Sequence, residues 1–214
     1  MDNFNNTLED ISADIQWRNN ELNSLKLISK NLNDNELRLF LKSCIPLIYA
    51  HWEGFVVSSL KLVFSYLNSL KLNSKDYCDI YLTTAYEQTL KSLDDSTAYE
   101  RRKKHLVKLY TEFSKVVKLK NKIDTKSNLT FQVLEEICLK TNLNINKFEE
   151  YKEELNELVS IRNSISHGEN SYIFETFDDI KKYIELLENL MLDFQSELQD
   201  LLKDKNYLKE RNDN

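Results

Sequence analysis

The chain has 214 residues, a formal net charge of −6, two glycines and one proline. Tight turns between strands depend on glycine and proline, so this composition argues against a hairpin-based architecture and predicts an all-α protein. No apolar stretch reaches the ~18 residues that can span a bilayer, and the first residues lack the features of a secretory signal. Cys44, Cys78 and Cys138 have no metal or redox spacing. We therefore expect a cytoplasmic protein without a membrane segment.

Two N-terminal helices are predicted from capping patterns. The residues Thr7-x-x-Asp10 resemble a capping box and predict the start of the first helix. A second box, Asn33-x-x-Glu36, predicts a longer helix that runs to about Leu70. Pro46 and Gly54 lie inside this helix and are candidates to bend it, because proline removes a backbone donor.

The middle of the chain predicts shorter elements. Apolar periodicity indicates helices at about 75–91, 96–118 and 130–140. The intervening residues 119–129 are polar and basic without periodicity, which predicts a mobile loop. Residues 141–146 are rich in asparagine and predict a linker.

Two further helices are predicted toward the C-terminus. Asn146-x-x-Glu149 is expected to cap the first of them, and Thr176-x-x-Asp179 is expected to open the last long helix. Nothing in the pattern indicates a repeat or a domain linker. We therefore expect a single helical domain over residues 1–214, with its core at about 7–202 and a charged, frayed tail at 203–214.

An arginine and a histidine, Arg162 and His167, lie near the predicted end of the penultimate helix. Arginine binds two phosphate oxygens at once, and histidine transfers protons near neutral pH. In a regular helix, positions five apart diverge by ~140° and lie ~7.5 Å apart along the axis. The pair can therefore act together in two ways. Either the helix ends at Gly168 and the cap residue His167 turns back, or two copies of the chain meet at one cleft.

This pair predicts cleavage of RNA without a metal. The 2′-hydroxyl would attack the adjacent phosphorus and leave a 2′,3′-cyclic phosphate, a reaction that DNA cannot undergo. Arg162 would stabilise charge on the phosphoryl oxygens and His167 would act as general base or acid. Asn163 would hold the RNA backbone or orient His167. In the alternative interpretation, Arg162 pairs with Glu157 or Glu169 while His167 only caps helix carbonyls.

The run His51-Trp52-Glu53 provides further candidates within the long second helix. A carboxylate beside bulky apolar residues needs a partner if it is buried, and Arg162 or His167 could supply one for Glu53. His51 and Glu53 are two positions apart and point in different directions. The histidines lack convergent spacing, so we predict no metal site and no cofactor. Trp52 is predicted to lie in the core.

Residues 101–126 carry a net charge of +8, which leaves −14 on the rest of the chain. This segment is either an RNA-tracking patch or an ordinary solvated helix face. Tyr99, Tyr110 and Phe113 interleave with the basic residues and could stack on bases, although such spacing is also typical of a core stripe. The predicted RNA-binding residues are Arg101, Arg102, Lys103, Lys104 and Lys108.

Two segments resemble the HEPN domain family. Residues 158–169, with Arg162 followed by Asn163 and then His167, resemble its signature of an arginine, four to six residues and a histidine. Residues 45–56 contain Ala-His-Trp-Glu-Gly-Phe, which is similar to a run on an early helix of one prokaryotic HEPN branch. The order of these segments, together with Asn128-Leu129 and Thr176-Phe177, extends the resemblance to about residues 5–200.

The resemblance implies an all-α, up-and-down bundle that dimerises, with the Arg–His motifs of two protomers facing a shared cleft. Many such proteins are metal-independent endoribonucleases of toxin–antitoxin, abortive-infection or other anti-phage systems. Carried onto this chain, Arg162 and His167 become the catalytic pair and Asn163 their polar companion. Glu53 and His51 either point into the same cleft or are structural.

The chain departs from one HEPN pattern. Some HEPN toxins have a tyrosine two residues after the histidine, which a partner nucleotidyltransferase modifies, whereas this chain has Glu169. Our leading prediction is a homodimeric endoribonuclease, a toxin or defence effector with RNA as substrate and an antitoxin or defence-system protein as a further partner. The alternative is a non-catalytic HEPN module that binds a protein or a nucleotide. An antitoxin-like mimic of nucleic acid is a third possibility, which the basic segment argues against.

Overall fold

The computed structural model describes residues 4–94 and 98–210, without the side chains of residues 93 and 94. Within these ranges the chain forms seven α-helices and one 3₁₀ segment, and two isolated bridges are the only extended pairing. This confirms the predicted all-α fold. The elements are α1 (Phe4–Ser29), α2 (Asp34–Ser69), α3 (Asp79–Asp94), α4 (Tyr99–Phe113), α5 (Phe131–Thr141), the 3₁₀ segment (Ile145–Tyr151), α6 (Lys152–Ser166) and α7 (Asp178–Lys203).

The long helix α2 is the centre of the bundle, and α1, α6 and α7 pack around it. Its predicted start is confirmed, because Asn33 and Glu36 form both bonds of the capping box. The helix continues through Pro46 and ends at the predicted place, with Leu70 as its C-cap. A cluster of aromatic rings fills the centre of the core. The ring centroids of Trp52, Phe55 and Phe148 lie 5.9, 6.1 and 6.1 Å from that of Phe194.

The predicted starts of three other helices are wrong by a few residues. Thr7 does not cap α1, which already begins at Phe4, because Thr7 lies on the buried stripe one turn before Ile11. Asn144 rather than Asn146 provides the cap before the 3₁₀ segment, and α6 starts only at Lys152. The helix α7 starts at Asp178, so the Thr176-x-x-Asp179 pattern lies partly before it. The Asp179 carboxylate nevertheless accepts the Thr176 N–H at 2.9 Å.

The pair α3 and α4 is shorter than predicted. The helix α3 starts at Asp79 because Tyr77 is buried in the preceding turn, where it pairs with Leu208. The helix α4 ends at Phe113, and Val116 already forms a bridge with Asn73. The predicted start of this helix at residue 96 lies outside the described residues. Among the described helices, α4 packs only against α3, and none of its residues is buried.

The segment between α4 and α5 and the C-terminal tail are both tied to the bundle. The segment is non-helical, as predicted, and the Asn68 side chain bonds both the N–H and the carbonyl of Leu119, at 2.8 and 2.9 Å. The prediction of a frayed tail is wrong for the residues that follow α7. The Tyr207 ring is buried against Tyr77, and the Tyr207 carbonyl accepts the Cys78 N–H at 3.0 Å. Residues 211–214 lie outside the described residues.

Candidate active site

The C-terminal end of α6 has the geometry that the sequence predicts. His167 is the C-cap, and Gly168 follows with a φ of +78°, a left-handed conformation that favours glycine. The Gly168 N–H bonds to the Ile165 carbonyl at 3.0 Å, and the Glu169 N–H bonds to the Ser164 carbonyl at 2.9 Å. These two bonds form a Schellman motif, so the helix ends immediately after the candidate histidine.

Neutral groups hold the half-buried guanidinium of Arg162. Its Nη1 donates to Asn128 Oδ1 at 3.0 Å and to Asn163 Oδ1 at 2.9 Å. The guanidinium carbon lies 4.8 Å from the centroid of the Tyr49 ring, in cation–π contact. Within the described ranges, Nε and Nη2 have no hydrogen-bond partner and no carboxylate forms an ion pair with the arginine. The positive charge of Arg162 is therefore available to an external anion.

The two carboxylates proposed as structural partners of Arg162 lie elsewhere. Glu157 bonds to Lys182 at 3.2 Å and to the Tyr183 hydroxyl at 3.0 Å. Glu169 is exposed, and its backbone carbonyl accepts a hydrogen bond from Lys42 at 3.0 Å. The structure thus contradicts the alternative in which Arg162 belongs to a local salt bridge.

Tyr49 links α2 to this site. Its hydroxyl accepts the Leu129 N–H at 2.6 Å, next to the asparagine that holds Arg162. Burial raises the pKa of Tyr49 to about 12, and the nearby Glu53 carboxylate adds to the rise, so the hydroxyl stays neutral. Glu53 lies one helical turn after Tyr49 on the same face of α2. Glu53 therefore lies beside the site through Tyr49, without a salt bridge to the arginine.

Sequence reasoning did not identify Tyr49 as a site residue, and it included Asn128 only within a resemblance. A usable signal was present for the tyrosine, since residues four apart on a helix share a face and Glu53 was already a candidate. The asparagine gave no such signal, because it lies 34 residues before the arginine that it contacts.

His167 is exposed and has no side-chain hydrogen bond or ion pair within the described part of the chain. Its N–H still makes the helical bond to the Asn163 carbonyl, at 2.9 Å. The backbone is therefore regular from Arg162 to His167, and the two side chains leave α6 about 140° apart. Asn163 contacts the arginine rather than the histidine.

The other residues of the Ala-His-Trp-Glu-Gly-Phe run point in different directions. His51 is buried against α1, with its ring centroid 5.4 Å from that of Trp17 and its Nε2 3.5 Å from a carboxylate oxygen of Glu21. Trp52 is fully buried in the core, as predicted. Only Glu53 faces the Arg162 side of α2, so the structure separates His51 from the candidate site.

The predicted basic surface is exposed. The rings of Tyr99 and Tyr110 are 76% and 68% exposed, which contradicts the interpretation of these tyrosines as core residues. Along the same helix α4, the exposed basic residues are Arg101, Arg102, Lys103, Lys104 and Lys108. The helix therefore presents both cations and aromatic rings to solvent.

A second basic region lies between α2, α3 and α5. A cavity of about 450 Å³ has an apolar floor that includes Leu60 and Phe64, and its lysines are Lys91, Lys120, Lys122, Lys126 and Lys140. Lys126 pairs with Glu136, and Lys140 pairs with Glu87 at 2.9 Å. Lys126 precedes Asn128 by two residues, so the cavity adjoins the segment that holds Arg162.

A family model described as RiboL-PSP-HEPN matches residues 13–200 of the chain. The chain belongs to the RiboL-PSP-HEPN family. The matched region of this HEPN protein includes Tyr49, Asn128, Arg162 and His167, and it confirms the family that the sequence motifs predict. Comparison with curated proteins and with solved structures found no match.

The described residues show neither a membrane-spanning helix nor a cluster of metal-ligating side chains. None of the helices in residues 4–94 and 98–210 combines the length and apolarity needed to cross a bilayer. Over the same ranges, no three His, Cys, Asp or Glu side chains are grouped so that they could hold a metal ion.

Proposed function

We propose that this HEPN protein is a metal-independent endoribonuclease that acts as a homodimer, as a toxin or an anti-phage defence effector. The observation that carries the proposal is the half-buried guanidinium of Arg162, which neutral groups hold in place and which forms no ion pair within residues 4–94 and 98–210. A partly desolvated cation is costly unless an anion compensates its charge. The phosphodiester of RNA is an anion whose geometry matches arginine.

The chemistry follows from the free groups at the end of α6. Nε and Nη2 of Arg162 bind two non-bridging oxygens of the scissile phosphate and stabilise the charge that develops on them. The ribose O2′ forms a bond to phosphorus while the bond from phosphorus to O5′ breaks. His167 accepts the proton from the 2′-hydroxyl while water protonates the leaving O5′, or it donates a proton to O5′ while water accepts the proton of the 2′-hydroxyl. The products are a 2′,3′-cyclic phosphate and a 5′-hydroxyl.

The regular backbone between the two residues supports a site shared by two protomers. Because the side chains of Arg162 and His167 diverge by about 140° on one helix, an arginine of one copy and a histidine of the other can face the same phosphate. A mixture of Arg162→Ala and His167→Ala proteins tests this arrangement. Heterodimers would contain one intact site, so mixing should restore cleavage that neither variant shows alone.

The first experiment is cleavage of total RNA and tRNA by purified protein in EDTA, with the ends analysed for 2′,3′-cyclic phosphate. Arg162→Ala and His167→Ala should abolish cleavage, whereas Arg38→Ala, which removes an exposed arginine paired with Glu175, should not. An all-deoxy oligonucleotide should remain intact. Cleavage that persists in both site variants would refute the assignment of the catalytic pair.

The stability of these variants helps to interpret the result. His167 is exposed and unpaired, so His167→Ala should leave the melting temperature nearly unchanged. Arg162→Ala removes the contacts with Asn128 and Tyr49 and should lower it, so Arg162→Lys provides a milder test. Lysine keeps the charge but cannot bind two phosphate oxygens with a planar fork.

The second candidate function is a non-catalytic HEPN module that binds a protein partner. The observation in its favour is the exposure of Leu106 and Val107, which are 47% and 58% exposed between the tyrosines of α4. Exposed aliphatic side chains suit a protein surface better than a nucleic acid. A folded wild-type dimer that leaves every RNA intact would favour this function.

A further inference from the structure

We infer that Asn128 and Tyr49 are positioning residues that fix the guanidinium of Arg162 without neutralising it, so that the arginine presents its Nε–Nη2 edge to a phosphate. The inference rests on the proposed function for one point, the identity of this anion as the scissile phosphate of RNA. The anion site itself follows from the contacts around the arginine.

Only one nitrogen of the Arg162 guanidinium is engaged within the described ranges. Nη1 carries two hydrogens, and the side-chain oxygens of Asn128 and Asn163 accept both, at 3.0 and 2.9 Å. The donors that remain lie along Nε and Nη2, which have no partner within the described ranges. This edge carries two parallel N–H groups, the arrangement that binds two oxygens of one phosphate.

The residue that holds Arg162 from the segment before α5 is neutral. An asparagine at position 128 offers the same oxygen position as an aspartate but carries no charge. An aspartate would form an ion pair with the half-buried Arg162 and would compete directly with a phosphate for it. Asn163 and Tyr49 are likewise neutral, so the described groups that contact the guanidinium orient it without forming an ion pair with it.

Tyr49 and the segment that carries Asn128 are themselves fixed by hydrogen bonds. The Tyr49 hydroxyl accepts the N–H of Leu129, a fully buried residue, at 2.6 Å, while the face of the same tyrosine contacts Arg162. Thr130 follows and caps α5 through a bond from the Val133 N–H. Asn128 is therefore fixed by the buried Leu129 that follows it and by the start of α5. The arginine is in turn oriented by residues of α2, of this segment and of α6.

The decisive variant is Asn128→Asp, which keeps the size and oxygen position of the side chain and adds one negative charge. Asn20→Asp is the matched control, because it makes the same change at an exposed residue of α1, outside the basic segment and without contact to Arg162. Binding of inorganic phosphate is followed by NMR at the Arg162 side chain, and the melting temperature and the kcat and KM for RNA cleavage are measured in parallel.

We expect Asn128→Asp to melt at the wild-type temperature or above, because the new ion pair stabilises the fold. Its phosphate affinity should nevertheless fall about tenfold to a hundredfold, the effect of losing charge-assisted hydrogen bonds. Its kcat should fall as well, while Asn20→Asp should resemble the wild type in every measurement. If Asn128 were purely structural, an Asn128→Asp protein with wild-type stability would also keep wild-type phosphate affinity and kcat.

Tyr49→Phe tests the anchor separately, because phenylalanine keeps the ring that contacts Arg162 and removes the hydroxyl bonded to Leu129. We expect lower kcat and weaker phosphate binding in this variant. Asn128→Asp with wild-type phosphate affinity, or a wild type whose Arg162 binds no phosphate, would overturn the inference. If Asn128→Asp loses phosphate binding but wild type cleaves no RNA, the proposed function fails and the anion site stands.

Discussion

Gly54 shows how a single residue of a sequence motif can serve packing rather than chemistry. A Cβ at this position would lie 3.1 Å from Nη1 and 3.3 Å from Nη2 of the buried Arg18. Arg18 cannot move away easily, because Nη1 donates to the His51 carbonyl at 2.9 Å and Nε contacts Asp14 at 3.1 Å. The missing side chain at position 54 therefore makes room for a buried arginine between α1 and α2.

Because of this contact, the effect of Gly54→Ala on stability should depend on the residue at position 18. In a helix, Gly→Ala normally stabilises by about 1 kcal/mol, but crowding against Arg18 should reverse the sign for Gly54→Ala. In an Arg18→Met background the same change should stabilise the protein. Free energies of unfolding from urea titrations of all four proteins complete the double-mutant cycle. Equal effects of Gly54→Ala in both backgrounds would contradict the predicted contact.

His51 should make the stability of the fold depend on pH. Burial lowers the pKa of His51 below its ordinary value of 6.5; Glu21 opposes this shift, Arg18 adds to it and Asp14 opposes it. Below about pH 6.5 the unfolded chain therefore binds more protons at this residue than the folded protein. The contribution of His51 to the free energy of unfolding is complete above that pH and declines as the pH falls toward the folded-state pKa.

We expect the wild type to lose stability more steeply than His51→Gln when urea titrations are repeated between about pH 7.5 and 5.5. One histidine can change the free energy of unfolding by at most about 1.4 kcal/mol per pH unit. The comparison uses the difference in slope, because glutamine also changes the packing at all pH values. If the free energy of unfolding changed with pH equally in both proteins, His51 would not be the cause of the pH dependence.

At the scale of elements, the accuracy of a prediction depends on whether the signal is local. The start of α2 and the end of α6 were predicted correctly, because the Asn33–Glu36 box and Gly168 each act within one helical turn. The start of α1 was wrong because burial of Thr7 outweighs its capping propensity. The start of α6 was wrong because a 3₁₀ segment, with a different period, intervenes at Ile145–Tyr151.

The same distinction applies to the candidate site. The Arg162–His167 spacing lies on one helix and could be recognised in the sequence. The positioning contacts join α2, the segment before α5 and α6, so the chain separations are 34 residues for Asn128 and 113 for Tyr49. Only the packing of these elements brings such residues together, and no single local pattern encodes it.

At the scale of the whole molecule, charge is strongly segregated. Residues 101–126 carry +8 while the rest of the chain carries −14. The acidic part should repel RNA and the basic segment should attract it. RNA should therefore approach the protein from the side of residues 101–126. Because α4 buries none of its residues, the exposed Lys104 and Lys108 can contact RNA without any change in the core.

We therefore expect Lys104→Glu/Lys108→Glu to weaken binding of a 2′-O-methylated single-stranded oligonucleotide while the melting temperature stays nearly unchanged. The slope of log affinity against log salt should fall by about two, one for each lost phosphate contact. Lys26→Glu/Lys30→Glu is the matched control, with the same spacing and charge change on exposed residues near the end of α1. Equal losses of affinity in both double variants would indicate that total charge, rather than the α4 surface, governs binding.

The sequence by itself determined the all-α class, the start of α2, the end of α6 and the HEPN family. Scarcity of glycine and proline, capping residues and motif spacing act over a few residues and need no knowledge of the fold. Tertiary structure alone decided that Arg162 forms no ion pair in the part of the chain that the structure describes, that His51 faces α1 while Glu53 lies beside Tyr49, and that Tyr207 packs into the core. These properties depend on which distant side chains share one environment, and burial and charge compensation arise only when the helices pack.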